Sequence, residues 1–184
     1  MKKESYFTWI PMVFVLLIMF TPACKVKSDY SVSYYYDGTR SSFSFNGKIG
    51  SIYDFIFGAD DLGKYGLESV SFNPLLFIGF FSIIIAIIIC IINFSKDIKA
   101  LKLIETISIG ISTFFLSPIF SYSTVMKFYQ GLPEHKRLGT YADYRNFKFG
   151  GSWYIVFFVL LGILIYNIIA LCKCQNKEKK ATIN

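Results

Sequence analysis

A chain of 184 residues that is 54% apolar, 19% aromatic and only 17% charged is too hydrophobic for a disordered segment or an ordinary water-soluble domain. Its length suits one domain, and it carries no internal repeat or low-complexity tract. A net charge of +7 would suggest nucleic acid in a soluble protein. Here the lysines gather beside apolar runs, where anionic headgroups and topology account for them, and no nucleic-acid partner is expected.

Met1-Lys2-Lys3-Glu4 precedes an apolar run that predicts a first span over about 7–23, with Pro11 near its start. A basic start, a short apolar centre and Ala23-Cys24 also fit a secretory or lipoprotein signal. The retained helix is the favoured reading. Thr21-Pro22-Ala23-Cys24 lacks the aliphatic residue usual three positions before a lipoprotein cysteine, and Pro22 is a poor neighbour for a signal peptidase.

Residues 24–73 form an outer loop rich in aromatics where a linker would carry Ser, Gly and Pro. Tyr30-Ser31-Val32-Ser33-Tyr34 and Ser42-Phe43-Ser44-Phe45 alternate apolar and polar, and Asp37-Gly38 between them favours a tight turn, so a β-hairpin is predicted. After Asn46-Gly47, read as a second turn, Ile49, Ile52, Tyr53, Ile56 and Phe57 recur at helical spacing and stop at Gly58. A short amphipathic helix follows, with Ile52, Tyr53, Ile56 and Phe57 as a candidate interaction surface. Packing of that strip on the bundle is the plainer expectation. Asp60-Asp61 and Glu68 lack calcium-loop spacing and read as a solvated turn.

Pro74 to Ile92 gives an uninterrupted apolar stretch long enough for a hydrocarbon core of about 30 Å, so a second span is predicted over 74–92. Asn73 is placed to cap its first turn, and Pro74 sits where a missing N–H costs nothing. Gly79, Ser82, Ala86 and Cys90 form one small-residue stripe that admits a second helix closely. A basic connection with Lys96, Lys99 and Lys102 leads to a third span over 103–126. Glu105 near its start reads as a snorkelling residue within reach of Lys102 or the headgroups. Thr106, Gly110, Thr113, Ser117, Ser121 and Thr124 make a small, weakly polar face expected to pack on the stripe of the second span, and Pro118 predicts a kink. A hydroxyl-lined pore is the sharper reading of that face and close packing the favoured one.

The second outer loop, 127–151, holds the single histidine. Glu134, His135 and Asp143 could be imagined as a metal or catalytic cluster, but three or four ligands are wanted and no second His or Cys lies nearby. No metal, cofactor or catalytic residue is expected, and the chain reads as a non-enzyme. A fourth span over 153–172 contains Asn167, expected to hydrogen-bond between helices, and a basic tail, 173–184, follows.

With the N-terminus inside, the inner segments carry two, three and four basic residues in short stretches, whereas each longer outer loop carries five. This density places both termini in the cytoplasm. Cys24 alone among four cysteines would face outside, so no outer disulfide can form within one chain. The expected fold class is therefore an all-α membrane protein, four transmembrane helices in a bundle with a small extracytoplasmic β-hairpin and a short amphipathic helix.

The layout of a strand-forming first outer loop is similar to that of animal four-helix junction proteins, but their paired cysteines and tryptophan signature are missing. Phe55-Ile56-Phe57-Gly58, then Phe72-Asn73-Pro74-Leu75-Leu76, then a small, Pro-containing third helix, together about half the chain, more closely resemble small four-span membrane proteins of low-GC Gram-positive bacteria. That resemblance implies a fold and no activity. Two function classes follow: an accessory protein of the cell membrane that engages another membrane or envelope component besides the lipid bilayer, and a transporter or channel subunit, which needs polar groups converging within the membrane.

Overall fold

The computed structural model describes residues 6–33, 40–59, 71–96, 98–121, 141–142 and 147–183. Its elements in chain order are α1 (Tyr6–Ile18), β1 (Pro22–Ser33), β2 (Arg40–Ser51), α2 (Ile52–Phe57), α3 (Pro74–Lys96), α4 (Lys99–Phe115), β3 (Tyr141–Ala142), β4 (Phe147–Phe149) and α5 (Gly151–Ile183). The described chain is mostly helical. Two helical stretches, Pro74–Phe94 and Gly151–Lys173, are long and apolar enough to cross a membrane, which suggests a membrane protein.

The first helix is shorter than its apolar run. It stops at Ile18, whose carbonyl accepts from both the Thr21 hydroxyl, at 2.7 Å, and the Thr21 N–H, at 2.8 Å. The residue before a proline avoids helical backbone, so Thr21-Pro22 turns the chain into a strand. Thus 19–23, expected inside the first span, form a turn and the start of β1.

β1 and β2 pair antiparallel from Pro22↔Ser51 to Ser33↔Arg40, longer than the two alternating runs that predicted them. Asn46-Gly47 is not a turn: both residues lie in β2, Gly47 opposite Val26, and Ile49 sits opposite Cys24 rather than on a helix. The Asp37-Gly38 turn falls outside the described residues. The segment 127–151, expected as a second outer loop and without a strand signal, supplies β3 and β4, paired with β1 on the side away from β2 at Ser31↔Tyr141 and Cys24↔Phe149. β1 is thus the shared strand of both loops.

Helix α2 starts where a capping box dictates. Ser51 Oγ accepts from the Asp54 N–H at 3.2 Å, and Asp54 Oδ2 accepts from the Ser51 N–H at 2.6 Å. Gly58 ends it at φ 89°, a conformation that favours glycine. The Asn73 N–H donates to the Ile56 carbonyl at 3.0 Å, while Asn73 Oδ1 accepts from the N–H groups of Leu75 and Leu76. Asn73 therefore joins the end of α2 to the first turn of α3.

The long helices pack pairwise in a cycle: α1 on α3, α3 on α4, α4 on α5 and α5 on α1. Thr8 of α1 meets Cys90 of α3 at 3.2 Å. At the opposite end the Ile52 N–H donates to the Met19 carbonyl, and the Gly150 N–H to the Ala23 carbonyl at 2.6 Å. Sheet and α2 lie at the end where α3 and α5 begin. The core runs through Met12, Val15, Met19, Ile52, Phe55, Ile83, Ala86, Ile109, Leu116, Trp153 and Leu160.

Two span boundaries also differ from expectation. Lys96 and Lys99 lie in helices with a two-residue connection between them, because Asn93 Oδ1 accepts from the Ile98 N–H at 2.6 Å and folds the turn tightly. The helix expected as a third span is broken rather than bent. α4 ends at Phe115, and a new helical turn begins at Pro118, with Ser117 Oγ accepting from the Phe120 N–H. The freed carbonyls find partners: Phe115 accepts from the Ser121 hydroxyl and Leu116 from the Trp153 indole N–H at 3.1 Å. The Thr113 hydroxyl donates to the Ile109 carbonyl of its own helix. Residues 122–126 fall outside the described residues. The fourth helix runs through to Ile183 and takes most of the basic tail into helix, as expected for a stretch of Gln, Lys, Glu and Ala with no glycine or proline to stop it.

Two glycines of the small-residue faces behave differently. A Cβ on Gly79 would lie 3.0 Å from Phe115 Cβ and 3.1 Å from Leu116 Cγ, so α3 and α4 close on each other there. A Cβ on Gly110 would meet only Leu164 of α5, at 3.8 Å, so Gly110 does not sit at the α3–α4 contact where it was expected. Gly79→Ala should lower stability in detergent, by about 1–3 kcal/mol if the neighbours cannot move. Gly110→Ala should be neutral or stabilising by up to about 1 kcal/mol, since alanine suits a helix interior better. Paired thermal melts of the two variants check this ordering.

Candidate functional site

Helix α4 has its polarity reversed relative to a helix of a soluble protein. It buries Lys102, Glu105, Thr106, Ser108, Ser112 and Thr113 and exposes Leu103, Ile104, Ile107, Ile111 and Phe114. Most of the buried hydroxyls are satisfied locally: Thr106 donates to the Lys102 carbonyl, Ser112 to Ser108 and Thr113 to Ile109, each four residues back, and Ser82 of α3 does the same to Ile78. A stripe whose hydroxyl protons are held by its own helix is suited to packing.

The charged group on this face is different. Glu105 is fully buried, and its Oε1 accepts two hydrogen bonds, from Lys102 Nζ at 3.0 Å and from Asn167 Nδ2 of α5 at 3.0 Å. Lys102, 5% exposed, precedes Glu105 by three residues on the same helix, so α-helical geometry sets the two side by side. Asn167 is fully buried and reaches them from α5. The far atoms of this pair, Glu105 Oε2 and Asn167 Oδ1, are buried with no hydrogen-bond partner among the described residues. A buried bare acceptor costs about 1–3 kcal/mol, so this cluster is the least well satisfied place in the described core.

The chain matches no protein-family model, no curated protein and no solved structure. What the chain can do must be read from its own groups. Among the described residues, no three of His, Cys, Asp and Glu come together as metal ligands; Glu134, His135 and Asp143 lie outside the described residues.

The expected helix-packing residues fall as follows. Ser82, Ala86 and Cys90 are buried, with Cys90 against Thr8 of α1, and Gly79 faces Phe115 and Leu116. Thr113 is buried on α4, Ser117 caps the turn after the break, and Gly110 is turned to α5. The candidate interaction strip splits in two. Ile52 and Ile56 are fully buried and unavailable to a partner, because α2 lays them with Phe55 on the helices. Tyr53 and Phe57 stay at the rim. Tyr53 donates its hydroxyl to the Leu16 carbonyl, and burial holds its phenol above the usual range. Around it Phe20, Phe57, Phe77, Phe80 and Phe81 stack in a continuous aromatic ledge, with Phe57 and Phe81 about half exposed and Phe20 more so.

Glu105 is a core residue and not the snorkelling one expected, and Lys102 lies within the packed helix and not in a connection. Both misplacements trace to the start of α4, which lies four residues before the apolar run begins. The capping box at Ser51-Ile52-Tyr53-Asp54 was the sequence signal that would have set the start of α2.

Removing Lys102 would leave a buried carboxylate without its counter-charge. Lys102→Met should destabilise by about 3–5 kcal/mol near neutral pH, and adding Glu105→Met should recover much of that loss. Thermal unfolding of the single and double variants in one detergent is the measurement; equal losses in both would mean that the charge pair is not the issue.

Proposed function

We propose that the chain is a four-span protein of the cell membrane, its helices arranged as a bundle with both termini in the cytoplasm, and that it serves as an accessory protein engaging another membrane or envelope component. The observation that carries the membrane reading is the reversed polarity of α4, since large apolar side chains outside and charge inside suit lipid, where every polar group needs an internal partner. α1 and α4 are short, 13 and 17 residues, but each packs beside both of the longer apolar helices, which supports four spans. The orientation rests on basic-residue density.

The accessory role is supported by the sheet end of the molecule. Strands from two loops, joined on β1 and tied to the helices through Ala23, Pro22 and Met19, make a held platform, and the aromatic ledge runs beside it. Rigid aromatic side chains at a half-exposed rim are the type that anchors protein contacts. The second reading, a transporter or channel subunit, is favoured by a single observation, the convergence of Lys102, Glu105 and Asn167 inside the helices.

Orientation is tested in intact cells with a membrane-impermeant maleimide. Ser71→Cys, exposed beside the ledge, should label and Cys172, exposed at the other end, should not. Cys24 should stay unmodified despite facing the outer side, because burial pushes its thiol up and shields it. Labelling of Cys172 from outside would reverse the topology. A photoreactive phenylalanine at Phe57 should give a discrete protein adduct, and one at Phe158 of α5 only lipid; lipid alone from both positions would remove the accessory reading.

A further inference from the structure

We propose that Glu105 and Asn167 form a proton-binding site inside the protein. The two planar groups already share one hydrogen bond, Asn167 Nδ2 to Glu105 Oε1 at 3.0 Å, and each has one oxygen without a partner among the described residues: Oε2 on the acid and Oδ1 on the amide. Two acceptors cannot satisfy each other. One proton on Oε2 changes that, because a neutral carboxyl has a donor to give. It donates O–H to Asn167 Oδ1 while Oε1 continues to accept from Nδ2, and acid and amide close into a two-bond ring in which both bare oxygens are satisfied at once.

The step balances simply. A hydronium ion from the aqueous phase gives its proton to the Glu105 carboxylate, an O–H bond forms on Oε2, and water is left behind. The cluster goes from neutral overall, with Lys102 and Glu105 as a pair, to singly positive. Lys102 then donates to a neutral oxygen, so its hold on Glu105 weakens as the α4–α5 link through Asn167 gains a second bond.

A metal cation is the poorer ligand for the same oxygens. The Lys102 ammonium lies 3.0 Å from Oε1 and repels a second positive ion, and oxygen-binding cations need about six or more ligands. Among the described residues the helices around Glu105 bring little other charge: α1 has none, α3 carries Lys96 alone at its exposed end, α5 has none from Gly151 to Cys172, and α4 adds only Lys99 before Lys102. Of titratable types, α3 also brings Cys90 and α5 brings Tyr166.

The test is infrared difference spectroscopy of the purified full chain in lipid nanodiscs, acidified stepwise from neutral pH. The chain has 12 Asp and Glu side chains, so acidification should raise several carboxyl C=O components, and one of these, the Glu105 band, should be lost in Glu105→Gln, a variant whose amide can make the same two-bond ring with Asn167 and so should fold. In Asn167→Leu, which removes the ring partner and leaves Glu105, the band should shift in frequency. A wild-type spectrum without the band, a band untouched by Glu105→Gln, or a band unmoved by Asn167→Leu would each overturn the site. If Glu105→Gln were not to fold, the Asn167→Leu comparison decides alone.

Discussion

A polar group inside an apolar surround must find its partner within the protein, and this constraint shapes the molecule more than any single contact. The inward hydroxyls of Thr106, Ser112, Thr113 and Ser82 turn back to their own helices. At Ser117-Pro118, where a helix cannot continue without losing donors, the loose Leu116 carbonyl is met by the Trp153 indole and the Phe115 carbonyl by Ser121. With backbone polarity settled, Gly79 lets α3 come close enough for Phe115 and Leu116 to seal the contact. The break in α4 and the close approach of α3 therefore occur at the same level, and each makes room for the other.

Much of this was legible in the sequence. The apolar run from Pro74 forms a helix with Asn73 as its cap, the alternating runs around Asp37-Gly38 lie in paired strands, and Asn167 makes the interhelix bond expected of an amide in an apolar helix. These follow from local chemistry: a capping side chain, period-two alternation, one polar atom with nowhere else to go. The segments Phe55–Gly58 and Phe72–Leu76 meet in space where the Asn73 N–H donates to the Ile56 carbonyl.

What was hidden depends on contacts distant in the chain. β3 and β4 are two and three residues long and become strands because β1 offers an open edge, and no local pattern announces that. Gly110 has the same spacing as the small face of α4, but the helix carries enough small residues to serve two neighbours, and only packing decides which of them a given residue meets. Glu105 was the harder case. A carboxylate near a helix start beside a lysine is a surface motif in most proteins, and it becomes a core motif here because the connection to α3 is two residues long and draws the first turn of α4 inward.

The two ends of the helical part are thus held by different physics. At the sheet end, α1 and α5 are joined through Pro22 and Ala23: the Ser152 hydroxyl donates to the Pro22 carbonyl at 2.7 Å, the Gly150 N–H to the Ala23 carbonyl, and a Cβ on Gly150 would crowd both. These are neutral backbone-centred bonds, each worth about 1 kcal/mol, and they do not respond to pH. At the other end α4 and α5 are joined through a buried charge pair and an amide with two acceptors left over. Charge in a low-dielectric surround is the term most sensitive to a single proton. The α4–α5 contact at Glu105 therefore depends on charge, and the α1–α5 contact through Pro22 and Ala23 does not.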